Sequence, residues 1–304
     1  MNSKFFNNYR GQIYIALGTF FVGGVSVFSK LALESLTPIW FLVWLYLIST
    51  ILCFPFGKKI VLPKDARYKR FFVLHIFGMM FGWYLSVVGL QYLDAPSAAF
   101  LSRVEFPIIM AISFFFLKEK LSKGIFVSII LSSVGVALMA EQGMLNDLLS
   151  FQKGKNWGIF LVMLASLGFA LGELGTKIIA GKMNSRVFAF LRNLIMLAIV
   201  TCAALLMEGF RAPTAMGLLY AGLAGISGPV LARILYMEAL KRIKLGEASV
   251  YTQMEPVAAL LFALFLGMEL PEKNEYLGGG LILLSCLFLL WFQGRQKRLT
   301  SLSR

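Results

Sequence analysis

The sequence APSAAFLSRVEFP, residues 95–107, places a glutamate and a proline in the middle of a long apolar run. A second stretch, EASVYTQMEP at residues 247–256, repeats that arrangement. Glu105 aligns with Glu255, and further along Glu119 aligns with Glu269, at the same offset of 150 residues. Because a carboxylate is costly to bury in an apolar helix, two copies at one offset indicate a duplicated arrangement.

The composition around these stretches is that of an integral membrane protein. Of the 304 residues, 59% are hydrophobic and 14% are charged, whereas soluble domains carry about 25% charged residues. Apolar runs long enough to cross a hydrocarbon core of about 30 Å recur along the whole chain. We predict an all-α fold of ten transmembrane helices, the first of them an uncleaved span rather than a signal peptide. The predicted spans are 12–33, 38–57, 71–92, 95–117, 123–141, 157–178, 187–207, 214–240, 246–268 and 275–293.

The positive charges predict how the chain crosses the membrane. Most of the 29 lysines and arginines lie at one set of alternating helix ends, and only Lys153, Lys155, Arg211 and Lys273 lie at the opposite set. By the positive-inside rule, both termini are predicted to be cytoplasmic. This distribution also accounts for the net charge of +14 without a nucleic-acid partner.

The two halves of the chain are predicted to be inverted repeats. Residues 17–33 align loosely with residues 164–180, which divides the chain into halves at 1–145 and 146–304. Five spans per half is an odd number, so the second half enters the membrane from the opposite side. Transporters built in this way place their binding site near the middle of the membrane, between the repeats.

The repeated motifs resemble those of the EamA family, within the drug/metabolite transporter superfamily. The matching stretches are YLDAPSAA, EFP and LKEKLS in the first half and LGEAS, EPV and LGME in the second. The resemblance covers nearly the whole chain. It implies ten helices, a central cavity lined by the first four helices of each repeat, and peripheral fifth and tenth helices, but it does not define the substrate.

Six charged residues fall deep inside the predicted spans, three of each sign. Each costs at least about 2.5 kcal/mol at a helix centre in lipid, so we expect their side chains to face the bundle interior. Such a balanced set can neutralise itself in pairs, and it suits a zwitterionic substrate better than a polyanion. The six are Arg103, Arg192, Arg233, Glu105, Glu173 and Glu255.

Helical spacing groups some of these residues with polar neighbours. On the ninth predicted helix Tyr251, Thr252 and Glu255 share one face, and on the fourth Ser102 and Glu105 do the same. Such stripes suit a water-filled cavity. The alternative is that the two glutamates bind partners on neighbouring helices and fix the halves together.

Arg103 has a different geometric relation to its neighbour Glu105. The two lie about 200° apart around an ideal helix, so they share a face only if Pro107 distorts the turn.

Arg233 is the best sequence candidate for holding a substrate carboxylate through a bidentate contact. Gly228 and Pro229, just before it, can open the helix and expose backbone groups. The competing interpretation is that Arg233 snorkels to the interface, and for Arg192 that interpretation is favoured. Aromatic walls are expected from Trp83, Tyr236 and Tyr251.

Glu173 breaks the internal symmetry, since the first half has Ser26 at the matching place. It loosely resembles the membrane carboxylate that couples to protons in the small multidrug exporters of the same superfamily. A plain ion pair with Lys177, one turn along the helix, is favoured over that role. With Arg192 and Arg103, Glu173 completes the set assigned to ion pairing or coupling.

No catalytic triad, metal-ligand cluster, cofactor motif or ATP-binding domain is visible in the sequence. We therefore predict a monomeric secondary transporter of the inner or plasma membrane that moves a small zwitterionic or amphipathic metabolite. An amino acid is the favoured substrate and export the favoured direction, by alternating access and with proton coupling as an option. Three alternatives stay open: an exchanger or importer of a larger metabolite such as S-adenosylmethionine or a nucleotide sugar, a membrane-embedded enzyme, and a non-transporting scaffold.

Overall fold

The computed structural model describes residues 10–54, 65–109, 123–139, 149–150, 152–179, 182–242 and 251–302. Within these ranges the regular structure is helical and contains no strand, as predicted. A further helical turn covers residues 105–109. The helices are α1 (Arg10–Ala32), α2 (Pro38–Cys53), α3 (Ala66–Gly89), α4 (Ala95–Ser102), α5 (Lys123–Met139), α6 (Lys155–Ile179), α7 (Ser185–Glu208), α8 (Ala215–Gly225), α9 (Arg233–Leu240), α10 (Glu255–Phe265) and α11 (Lys273–Leu302).

The chain is a membrane protein. Five helical segments are long and apolar enough to cross a bilayer, and shorter apolar helices such as Pro38–Cys53 and Glu255–Phe265 accompany them. Large apolar side chains point outward, with Leu206 and Phe265 being 82% and 88% exposed. The five segments are Arg10–Ala32, Ala66–Gly89, Lys155–Thr176, Ser185–Glu208 and Ala215–Leu240.

The number of spans stays a prediction. The spans predicted at 38–57, 95–117, 123–141 and 246–268 each run partly into residues outside the described ranges, and Glu119 of the repeated motif lies outside them too.

The helices pack in pairs that join the two halves of the chain. The most extensive packing brings α3 along α6, while α1 runs along α8 and α9; α2 lies on α7, α5 on α11 and α4 on α10. Glycines allow the closest approaches. A Cβ atom added to Gly168 would lie 2.7 Å from the carbonyl oxygen of Gly78. Gly135 of α5 and Gly278 of α11 meet in the same way, so these glycines serve packing within the chain.

The carboxyl end of α3 is tied to α1 by a lysine. The Lys30 ammonium donates to the carbonyl oxygens of Leu90 and Leu93 at 2.6 and 2.7 Å. Next along the chain, the Asp94 side chain accepts from the backbone N–H of Ser97 and caps α4. The backbone groups that the helix ends leave without partners are therefore satisfied by side chains.

Both copies of the glutamate–proline motif interrupt their helices. Residues 103–104 form a turn between α4 and the helical residues 105–109, and residues 253–254 form a turn just before α10. The backbone bonds there span three residues, as from Val104 N–H to the Leu101 carbonyl and from Met254 N–H to the Tyr251 carbonyl. Since proline lacks an N–H, neither Pro107 nor Pro256 can continue the regular ladder.

A third interruption lies in the helix that carries Arg233. Residues Ile226–Ala232 form a π-helical segment that contains Pro229 and joins α8 to α9. Arg233 follows directly, and its backbone N–H bonds to the Gly228 carbonyl five residues earlier. The predicted opening of this helix is thus a widened turn that re-aims the side chains following it.

Candidate functional site

The first buried ion pair links the two halves of the chain. Arg103 donates from Nη2 to the Glu255 carboxylate at 2.7 Å, and the two side chains are 10% and 11% exposed. The same guanidinium donates to the Ser102 hydroxyl at 3.0 Å. Arg103 can reach α10 because the turn at residues 103–104 ends the regular helix.

A backbone carbonyl freed by proline completes this pair. In a regular helix the carbonyl of Thr252 would accept from the N–H four residues later, but that residue is Pro256. Nη1 of Arg103 donates to this carbonyl instead, at 2.9 Å. One guanidinium therefore binds a carboxylate, a hydroxyl and an open backbone acceptor. Thr252, predicted to share a face with Glu255, contributes its backbone carbonyl to this pair.

The second buried ion pair joins Arg233 to Glu173. Nη1 of Arg233 donates to the Glu173 carboxylate at 2.8 Å, with side chains 13% and 17% exposed. Nη2 contacts the Met79 sulfur at 3.8 Å, and the guanidinium lies 5.8 Å from the ring centroid of Tyr236. Arg233 is therefore not at the interface. The predicted partner of Glu173 was Lys177, whose side chain lies outside the described part of the structure; the bond that is described goes to Arg233 on α9.

Glu105 lies beside both pairs and belongs to neither. It is half-buried, and its charged neighbours are Glu173, Arg103, Glu255 and Arg233. Among the residues that the structure describes, no side chain forms a hydrogen bond or ion pair with its carboxylate. The alternative in which both glutamates bind neighbouring helices thus fits Glu255 and does not fit Glu105.

Arg192 is a fully buried cation. Its side chain is 1% exposed, so the prediction that it snorkels to the interface is wrong. Nη1 donates to the side-chain oxygen of Asn193 at 3.1 Å, and Nε has no partner. Its nearby charged groups include Arg233 and Glu173. In the described part of the chain no acidic side chain pairs with it.

The predicted aromatic residues lie around these charges. Trp83 is half-buried and packs edge-on against Phe169, with ring centroids 6.1 Å apart. Tyr236 and Tyr251 pack in one small cluster with Ile15. The structure therefore brings Tyr236 and Tyr251 to one apolar cluster and places Trp83 on the α3–α6 interface.

Sequence reasoning missed three neighbours of the buried charges. Met79 contacts Arg233, Asn193 bonds to Arg192, and Tyr46 lies within electrostatic reach of both arginines. Each is ordinary in composition and sits in an apolar run. A helical-wheel comparison between different spans could have found them only with the helix packing known.

The described residues contain no group of three or more His, Cys, Asp or Glu side chains placed to hold a metal ion. The site therefore consists of arginines, glutamates, hydroxyls and freed backbone groups between helices. Such an arrangement can bind a molecule that carries charge of both signs, and it can rearrange when its ion pairs exchange partners.

Two similar proteins are transporters by description. YedA, an uncharacterized inner membrane transporter of Escherichia coli K12, is 24% identical over 169 residues, which cover 54% of this chain and 51% of YedA. The alignment thus spans about half the length of that relative. An uncharacterized transporter of Methanothermobacter thermautotrophicus is 24% identical over 311 residues, covering 94% of this chain and 87% of the relative.

A solved crystal structure shares the fold. It is 13% identical in sequence, covers 93% of this chain and 97% of its own, and superposes with a TM-score of 0.65. The EamA-like transporter family matches this chain twice, at residues 9–140 and 156–291. These matches confirm the resemblance that the repeated motifs indicated: the chain belongs to the EamA-like transporter family.

Proposed function

We propose that this protein is a secondary transporter that carries a small zwitterionic or amphipathic metabolite across the inner membrane by alternating access. An amino acid is the first candidate substrate and export the first candidate direction. Membership of a transporter family and the descriptions of the two relatives support transport and a membrane location.

The proposed architecture is ten transmembrane helices in two inverted repeats, 1–145 and 146–304. Three observations support it. The family matches once in each half. The packing is also symmetric between the halves. If each of the first five spans is exchanged with its counterpart among the last five, the contact of α3 with α6 becomes the contact of α1 with α8 and α9. The contact of α2 with α7 is unchanged by this exchange. Both copies of the motif break their helix at the same place.

The balance of buried charge supports a zwitterionic substrate. Four of the six deep charges form two ion pairs, Arg103 with Glu255 and Arg233 with Glu173. One anion, Glu105, and one cation, Arg192, are left. A substrate that carries one charge of each sign could pair with both Glu105 and Arg192, whereas a polyanion could pair only with Arg192. The choice of substrate class depends on this pair of charges without ion-pair partners among the described residues.

The Arg103–Glu255 pair supports alternating access. It connects α4 of the first half to α10 of the second, so rocking of the halves must break or rebuild it. The bond from the same guanidinium to the Thr252 carbonyl also joins the two halves, so the same movement must break or rebuild it.

For proton coupling we favour Glu105 over Glu173. Glu173 is held by Arg233, and protonating it would break an ion pair. Glu105 has no partner of this kind in the described ranges, so it can exchange a proton without that cost.

Transport into proteoliposomes tests the proposal. The purified protein is offered the common L-amino acids, S-adenosylmethionine and a nucleotide sugar, each with and without a pH gradient. We expect uptake of at least one amino acid and none of the nucleotide sugar. Counterflow of a larger metabolite that persists without a pH gradient would point to the exchanger, and a panel that is not moved at all would point to a scaffold. Glu272→Gln, a change at an exposed side chain, is the control variant.

A further inference from the structure

We propose that Arg192 and Tyr46 form the subsite that binds the carboxylate of the transported molecule. This deepens the proposed function and rests on it. The sequence assigned the carboxylate to Arg233 and gave Arg192 an interfacial position. In the structure Arg233 is bonded to a carboxylate of the protein, and Arg192 is bonded only to an uncharged side chain.

Arg233 is already neutralised where it stands. One of its terminal nitrogens is bonded to the Glu173 carboxylate, and the other contacts the Met79 sulfur. A substrate carboxylate would have to displace Glu173 and leave that buried acid without its partner. Exchanging one carboxylate for another in this way offers no net gain of charge-assisted bonds.

Arg192 has the opposite character. A guanidinium has five N–H donors, and a planar fork of them matches a carboxylate. The structure shows one of these donors bonded, to the uncharged side chain of Asn193 at 3.1 Å, and Nε is buried with no partner. A buried and uncompensated cation costs several kcal/mol. An anion that enters this site recovers that cost.

Tyr46 supplies a second donor of the right kind. It lies on α2, which packs on the α7 helix that carries Arg192, and its side chain is fully buried. Its hydroxyl has no hydrogen-bond partner, and Arg192 and Arg233 are its charged neighbours. A phenol O–H donates one hydrogen bond, so it can serve one oxygen of a carboxylate while the neighbouring guanidinium serves the other.

The neighbourhood explains why this cation is kept in place without an acid. Asn193 holds Arg192 through its side-chain oxygen and contacts the Cys53 sulfur at 3.8 Å through its amide nitrogen. This bond orients the guanidinium and leaves its charge uncancelled. Full burial of both residues means that the subsite is closed in this conformation, as the occluded stage of alternating access requires.

The test compares an acid with its amide. The probes are the common L-amino acids and, for whichever is taken up, its carboxamide and its N-acetyl derivative. Binding is measured by titration on the purified protein and transport in proteoliposomes. In the wild-type protein we expect the carboxamide to bind about 100-fold more weakly than the acid, since a buried charged contact is lost.

In Arg192→Gln the preference for acid over carboxamide should fall to about threefold or less, while discrimination against the N-acetyl derivative stays as it was. Tyr46→Phe should weaken binding of the acid about tenfold. If these residues served the fold alone, removing a hydroxyl without a partner would leave binding unchanged. Arg186→Gln, the same chemical change in the first turn of α7, is the matched control.

Thermal unfolding without probe adds a readout that does not need transport. Arg192→Gln removes an uncompensated buried charge and should raise the midpoint of unfolding, whereas a structural arginine would lower it. If Arg192→Gln cannot be purified, Arg192→Lys serves in its place. This variant keeps the positive charge, so we expect it to keep the preference for the acid over the carboxamide. An undiminished acid preference in Arg192→Gln overturns the subsite alone. If no amino acid binds the wild-type protein, the proposed substrate class fails, and the subsite with it.

Discussion

Replacing Arg103 and replacing Glu255 should lower the free energy of unfolding by different amounts. Arg103→Gln leaves the Glu255 carboxylate buried without its partner, at a cost of about 3–5 kcal/mol. It also removes the donor of the Thr252 carbonyl, which adds about 1–3 kcal/mol. In Glu255→Gln the guanidinium keeps the Thr252 carbonyl and the Ser102 hydroxyl, so the loss should be smaller by about 2 kcal/mol or more.

The double variant Arg103→Gln/Glu255→Gln removes both charges and should lose less than the sum of the single variants. We expect a coupling of about 2–3 kcal/mol, with the open Thr252 carbonyl as the remaining loss. The control cycle uses Arg242 and Glu238, an ion pair at the edge of α9 whose side chains are 36% and 28% exposed. Its coupling should stay below about 1 kcal/mol.

The measurement is unfolding of the detergent-solubilised protein, followed by tryptophan fluorescence during titration with a denaturing detergent. Additive losses in the first cycle, or equal losses in the two single variants, would refute the geometry described for this pair.

Three further perturbations test the packing around the site. Gly168→Val should destabilise the protein by about 1–3 kcal/mol or more, because its Cβ would lie 2.7 Å from a carbonyl oxygen of α3. In the same unfolding assay the control Gly280→Ala should be neutral or slightly stabilising, because a Cβ at that position would have nothing within 4 Å. Lys30→Met should cost about 1.5–3 kcal/mol because two carbonyls at the end of α3 lose their donor, and an unchanged unfolding midpoint would contradict that role. Pro256→Ala restores an N–H that competes with Arg103 for the Thr252 carbonyl. We expect slower uptake in proteoliposomes, with the free energy of unfolding changed by about 1 kcal/mol or less. Full transport activity would show that the interruption of the helix before Pro256 is dispensable.

Local features of the fold were predictable from the sequence, because they depend on residues close together in the chain. The opening before Arg233 follows from Gly228 and Pro229, and the turn at 103–104 follows from Pro107. The ion pair of Glu238 with Arg242, which follows four residues later just beyond the end of α9, is of the same local kind and has a distance of 2.8 Å. In each case helix geometry and proline chemistry are enough.

Contacts between helices were harder to predict, because they depend on how the helices cross. Glu173 bonds to Arg233, which lies 60 residues away on another helix, and spacing along the chain does not predict this partner. Arg192 lies few residues inside its span, and its depth along the chain suggested snorkelling. Its side chain is instead 1% exposed, on a helix that packs against α2.

In each copy of the glutamate–proline motif, the proline leaves one backbone carbonyl without its usual helical donor. The two copies differ in the group that donates to this carbonyl. Pro107 frees the carbonyl of Arg103, which accepts from the Phe106 N–H at 3.1 Å. Pro256 frees the carbonyl of Thr252, which accepts from the Arg103 side chain instead. The backbone break is therefore common to both halves, and the arginine that exploits it is present in one.

This difference accounts for the unequal roles of the two repeated glutamates. At the offset of 150 that relates Glu105 to Glu255, the counterpart of Arg103 is Gln253. Arg103 reaches across to neutralise Glu255, but Gln253 carries no charge with which to neutralise Glu105. A duplicated pair of acids has thereby become one structural acid, held in an ion pair between the halves, and one available acid. The available one, Glu105, has the Arg233–Glu173 pair among its charged neighbours.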